Sequence, residues 1–104
     1  MPTAWLMVRA VVAEPADRPR FDRWYETEHL RDAREALGAL RAWRCWSRLD
    51  PSIHFAFYEF ADAARAEAVL ASSGMRALVE EFDRVWDTRV TRTREVLELA
   101  GQLP

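Results

Sequence analysis

The chain has 104 residues, half of them hydrophobic, a formal charge of -2, and no cation other than arginine among its 15 basic residues. That is enough chain for one domain, residues 1–104, around one core. The near-balanced charge, with no basic run, excludes a nucleic-acid surface, and the single cysteine, Cys45, excludes both an internal disulfide and a thiolate metal site.

At the N-terminus, Ala4 to Val12 is a compact apolar run rich in β-formers. It reads as a first strand with Trp5, Met7, Arg9 and Val11 on one face and Leu6, Val8 and Ala10 on the other. The run is too short to cross a bilayer and is followed by acid rather than by a small-residue cleavage site, so a cytoplasmic protein without membrane attachment is expected. Glu14 to Pro19 has turn composition, and a helix starts at about Arg20 and ends at Gly38. Ala39 to Leu49 reads as a second strand with Leu40, Ala42, Arg44, Trp46 and Arg48 on one side. Asp50-Pro51-Ser52 is a turn, and Ile53 to Phe60 is a third strand dense enough in Phe and Tyr to be central.

Asp62 to Ala71 is Ala-rich and helical and is broken by Ser72-Ser73-Gly74. Met75, Leu78, Val79, Phe82, Val85 and Trp86 then recur at the spacing of an amphipathic helix that packs a core. Thr88 to Leu99 reads as a fourth strand. The order β-α-β-β-α-β predicts an α+β, ferredoxin-like fold, an antiparallel sheet with both helices on one face. The opposite face carries large side chains and needs cover, which predicts a homodimer joined sheet to sheet.

The first helix contains the unusual stretch, FDRWYETEHLRD from Phe21 to Asp32. At about 100° per residue, Phe21, Tyr25, Glu28, His29, Asp32 and Ala36 fall in a sector about 100° wide, flanked by Trp24. An aromatic stripe thus runs into ionisable groups where a packed face opens into a pocket. His29 suits a general base or acid near neutral pH, or a structural histidine bonded to a backbone carbonyl. Asp32, three residues on, is placed to hold an imidazole nitrogen or to be solvated. Glu28 diverges from His29 and serves either the site or a surface ion pair. Arg44 alternates with Trp46 and faces either the pocket or a partner subunit. His54, beside a turn, is expected at an exposed edge. No ligand spacing indicates a metal.

Trp24-Tyr25-x-x-Glu28-His29-Leu30, preceded by Phe21 and followed by an Arg/aromatic second strand and Tyr58-Glu59-Phe60, resembles the EthD-like branch of the dimeric α/β-barrel superfamily. The resemblance implies two ferredoxin-like subunits with their sheets together, each keeping a cavity between helices and sheet that binds a small apolar or aromatic ligand. With the helix lining that cavity, the spacing gives Phe21, Trp24, Tyr25, Trp46 and Arg44 as candidate substrate-binding residues and His29, Asp32 and Glu28 as candidate catalytic ones, His29 being the one that the resemblance strengthens. The implied activities are cofactor-free oxygenation of polyketide-like molecules, isomerisation or cyclisation, with a non-catalytic small-molecule- or haem-binding accessory protein as the alternative. The family usually follows Glu-His-Leu with Pro, where this chain has Arg31. The helix therefore either continues, burying Leu30, Ala33 and Leu37 on the side opposite Tyr25, or bends near Leu30 without proline.

Overall fold

The computed structural model describes residues 1–104. Strands β1 (Ala4–Val12), β2 (Arg41–Trp46), β3 (Ile53–Phe60) and β4 (Val90–Glu98) form one antiparallel sheet in the order β2-β3-β1-β4, so β3 is central as its composition requires. Period-2 alternation decides the faces. Ala4, Leu6, Val8, Ala10 and Val12 of β1 are buried under the helices, while Trp5, Met7, Arg9 and Val11 point to the open face. Register carries that parity across the sheet: Ala10 sits opposite His54 on one side and Arg92 on the other, and Val8 opposite Ala56 and Arg94.

The helical layer comprises α1 (Arg18–Trp24), a π-helical turn (Tyr25–His29), α2 (Leu30–Leu37), α3 (Ala63–Ala68) and α4 (Ser73–Trp86). Gly38 ends α2 in the left-handed conformation, φ 66°, the cap that a Cβ disfavours. Asp62 caps α3 by accepting the Arg65 N–H at 2.9 Å, and the Ser72 hydroxyl caps α4 by accepting that of Met75 at 3.1 Å. The second strand is shorter than expected. The Ser47 hydroxyl accepts the N–H groups of Leu49 and Asp50, and Asp50 accepts that of Ser52, so the backbone leaves the ladder after Trp46. Likewise α3 tightens into a 3-10 turn over Val69–Ala71, and another, Asp87–Arg89, precedes β4.

The open sheet face carries a strip of rings. Phe57 stacks with Trp43 on one side, centroids 5.7 Å apart, and with Phe55 at 6.4 Å. At its corner Arg41 holds Glu59 with two hydrogen bonds, and Trp5 donates to the same carboxylate.

Gly74 lies inside α4 rather than breaking it, and the reason is contact with α2. A Cβ there would overlap the carbonyl oxygen of Ala36, a backbone atom that cannot swing aside. Gly74→Ala should therefore destabilise the protein by about 1–3 kcal/mol, reversing the gain of about 1 kcal/mol that alanine normally brings to a helix interior. The midpoint of urea unfolding measures this, and a higher midpoint would show that the helices separate freely.

Candidate functional site

The π-helical turn organises the site. The Leu30 N–H bonds the Tyr25 carbonyl, five residues back, so one extra residue is taken into the turn. Such a residue rotates everything after it by about 100°, which brings Ala33 and Leu37, otherwise about 120° and 160° from Phe21, to within about 60° of it. The buried stripe is consequently Phe21, Tyr25, His29, Ala33 and Leu37, every fourth residue. The buried side of the helix thus changes without proline. The same rotation corrects the expectation for the acids and for Ala36: Glu28, Asp32 and Ala36 all face solvent. Asp32 pairs with Arg31 at 3.6 Å instead of holding an imidazole.

Phe21 is the hub of an aromatic cluster, with Tyr25, His54, Trp86, Trp46, Phe82 and Trp24 rings at 5.1 to 6.2 Å. His29, 7% exposed, stacks flat on Trp24 at 4.2 Å and meets Tyr25 edge-on at 4.9 Å. Burial pushes its pKa down to about 4, partly opposed by the charge of Asp32. The ring is therefore neutral at pH 7.

His54 is not at an edge. It is 0% exposed, on the inner face of the central strand, 4.5 Å from the Tyr25 ring and 4.9 Å from Trp46. Burial first, then the Arg44 charge, lower its pKa to about 3. Arg44 reaches inward rather than toward a partner: its Nη1 donates to Asp22 at 2.8 Å and lies 3.3 Å from His54 Nε2, and its Nη2 donates to Glu26 at 2.8 Å. Asp22 also accepts the Trp46 indole N–H at 2.7 Å, and these hydrogen bonds, Trp46 first, hold its carboxyl below the usual range. A guanidinium only donates, so Nε2 accepts and the proton sits on Nδ1. That Nδ1 is buried with no partner oxygen, among rings.

A small, partly open cavity of about 30 Å³ lies between helices and sheet, walled by Leu6, Val8, Leu37, Phe82 and others, with Tyr25, Tyr58, Arg92 and Arg94 as its polar groups. It adjoins a cleft of about 430 Å³ between α4 and β4 lined by Leu70, Met75, Arg76, Val79, Glu80 and Arg94. Met75, Val79 and Arg94 belong to both. Burial raises the Tyr25 pKa to about 12 and that of neighbouring Tyr58 well above the ordinary value, so both phenols remain protonated.

The structure thus gathers Phe21, Trp24, Tyr25, His29, Trp46 and Arg44 into one cluster and leaves Glu28 and Asp32 outside. Of these only Tyr25 reaches the cavity. Residue-level reading missed Tyr58, Arg92 and Arg94. The signal was parity: Arg92 and Arg94 alternate in step with half-buried or buried Val90 and Val96.

No protein-family model matches the chain, and no protein of curated function matches it in sequence. Its likeness is to solved structures. A variant of SnoaB, a cofactor-independent oxygenase from Streptomyces nogalater, superposes with TM-score 0.71 at 13% identity over 100% of this chain and 99% of that one. HapK from Hahella chejuensis gives 0.64 at 16% over 97% of each. An ethyl tert-butyl ether degradation (EthD) family protein from Bacillus halodurans gives 0.63 at 14% over 88% and 96%. The chain therefore has the ferredoxin-like fold common to the EthD family protein and the cofactor-independent oxygenase, as the Trp24 to Leu30 resemblance implies.

Proposed function

We propose that the protein is an enzyme acting on a small apolar or aromatic molecule without a bound cofactor, by oxygenation or by isomerisation or cyclisation. One observation supports this above others: an apolar cleft adjoins a small recess whose lining includes two tyrosines and two arginines among apolar side chains, the usual make-up of a small-molecule site. The fold shared with a cofactor-independent oxygenase is consistent with it. Tyr25 and Tyr58 donate hydrogen bonds to a substrate oxygen, and the apolar walls hold the carbon frame. The haem-binding alternative requires an accessible imidazole, whereas His29 and His54 are both packed among rings.

The test is oxygen uptake together with chromatographic and NMR identification of products, isomers included, by chelator-treated protein offered hydroxylated naphthalenes and anthrones. Turnover supports the enzyme reading; tight binding with no product over hours replaces it with a carrier.

His29 packs behind the cavity and so supports Tyr25 rather than reacting. Substitution His29→Gln should lower stability by about 1–3 kcal/mol through the lost burial and stacking, with turnover per folded molecule within tenfold of wild type. A turnover loss of about 10² to 10⁴ at unchanged melting temperature would assign proton transfer to His29 instead.

We further propose that two copies pair through their open sheet faces, because the Trp43-Phe57-Phe55 strip is larger than the lone exposed hydrophobics of ordinary surfaces. Light scattering should give twice the chain mass. Phe57→Glu, which buries a charge in that contact but none in the core, should give a folded monomer, and a dimer unaffected by it would place the interface elsewhere.

A further inference from the structure

Two arginines on the inner side of β4 break the pattern of a strand that packs a core. Val90, Arg92, Arg94 and Val96 share one face, and the small partners Ala10 and Val8 opposite the two arginines leave room for long side chains. Departures of this kind from binary patterning concentrate at functional positions. Arg92 has a structural explanation: it pairs with Asp83 at 3.3 Å and its guanidinium lies 3.9 Å over the Phe82 ring. Arg94, exposed at the mouth of that face, makes no ion pair or side-chain hydrogen bond, and the acid that acts on it, Asp83, is already held by Arg92.

The position of Arg94 completes the case. It lines both the open cleft and the inner cavity, at the junction where the apolar walls formed by Leu70, Met75 and Val79 meet Tyr25 and Tyr58. The cleft also holds Arg76 and Glu80 of α4, so its charged lining is two guanidiniums and one carboxylate and is net positive. Partial burial of Arg94, then the neighbouring Arg92, lower its affinity for its proton, with Asp83 opposing them. A guanidinium presents a planar fork that matches two coplanar oxygens. The cleft volume, about 430 Å³, falls in the range of small-molecule sites.

We propose that the α4/β4 cleft binds a planar, apolar-bodied organic carboxylate, with the carboxylate on Arg94 and the carbon frame against Met75 and Val79. This rests on the small-molecule reading above and names its substrate class as an acid.

Calorimetric titration with 2-naphthoate and with its neutral near-isostere 2-naphthamide tests it on the wild-type protein, Arg94→Gln and, as a charge control on the outer face of α2, Arg31→Gln. The wild type and Arg31→Gln should bind the naphthoate at least about tenfold more tightly than the amide, the scale of one charged hydrogen-bonding group. Arg94→Gln should lose that preference while amide binding changes less than about twofold. Arg94→Lys, charged but without the fork, should fall between. Equal binding of both probes by the wild type overturns the carboxylate site and leaves the small-molecule reading standing. A preference kept in Arg94→Gln overturns Arg94 as its origin, and binding of neither probe removes both readings.

Discussion

Acidification from pH 7 to pH 4 is expected to unfold the protein, because two histidines are buried neutral in its aromatic cluster. His29 and His54 have folded pKa values of about 4 and about 3, both depressed chiefly by burial. In the unfolded chain each titrates near the ordinary value of about 6.5. Between those limits the unfolded state binds protons that the folded state refuses, so stability is fully present above about pH 6.5 and is lost as pH falls toward the folded values. Each pKa unit corresponds to about 1.4 kcal/mol, and two groups shifted by more than two units remove several kcal/mol by pH 4, against a total of about 5–15. The groups facing them do not reverse the sign. Asp32 and Glu81 favour the charged His29 only weakly against Arg92 and burial, and Asp22 is already engaged by Arg44 and Trp46 beside His54. Urea unfolding at stepped pH should show the slope beginning near 6.5. His54→Gln, whose amide oxygen can still accept from Arg44, should flatten it, and a wild-type profile flat down to pH 4.5 would mean that neither ring resists protonation.

Truncation of Phe82 should cost about 3–5 kcal/mol, the range for a fully buried phenylalanine. Its ring is 2% exposed, touches Trp24, His29 and Phe21 at centroid distances of 5.4 to 6.1 Å, and carries the Arg92 guanidinium on its face. Phe82→Ala therefore removes the seat of Arg92 as well as the packing between α4 and the first helical segment. Tyr25→Phe gives the contrast. It keeps the ring and loses only a hydroxyl facing the cavity, so stability should move by about 1 kcal/mol while ligand affinity falls. Thermal melts of the two variants measured together check this, and equal losses would make the Tyr25 hydroxyl part of the core.

The strand faces were legible from sequence because a sheet has one simple period. Trp5, Met7 and Val11 separate from Leu6, Val8 and Ala10 in the residues as they do in the fold. The aromatic stretch around Tyr25 announced itself by composition. What could not be read was anything requiring a departure from an ideal period. Glu28 and Asp32 were placed inward by assuming a uniform helix, although the four-residue spacing of Phe21, Tyr25, His29, Ala33 and Leu37 already carried the trace of a wider turn. His54 was assigned to an edge from its neighbouring turn, whereas its alternation with Ala56, Tyr58 and Phe60 marks it as inner. Arg92 and Arg94 were hidden by charge, which outweighed their parity with valines. Gly74 resembled a breaker because the tight approach of α2 exists only in three dimensions.

The π-helical turn makes residue count, and not only residue identity, a determinant of this core. Between Tyr25 and Leu30 the chain holds one residue more than a regular helix needs to close its ladder. A one-codon deletion there would restore standard helical bonding and improve local geometry, yet would turn Ala33 and Leu37 about 100° away from the sheet. Substitutions at exposed Thr27 and Glu28 change mainly surface chemistry, and one at Glu26 costs only its bond to Arg44, while loss of any one of those positions misaligns everything from Leu30 to Gly38. The segment is thus permissive to point mutation and intolerant of frame-preserving deletion, the reverse of what surface exposure alone would indicate.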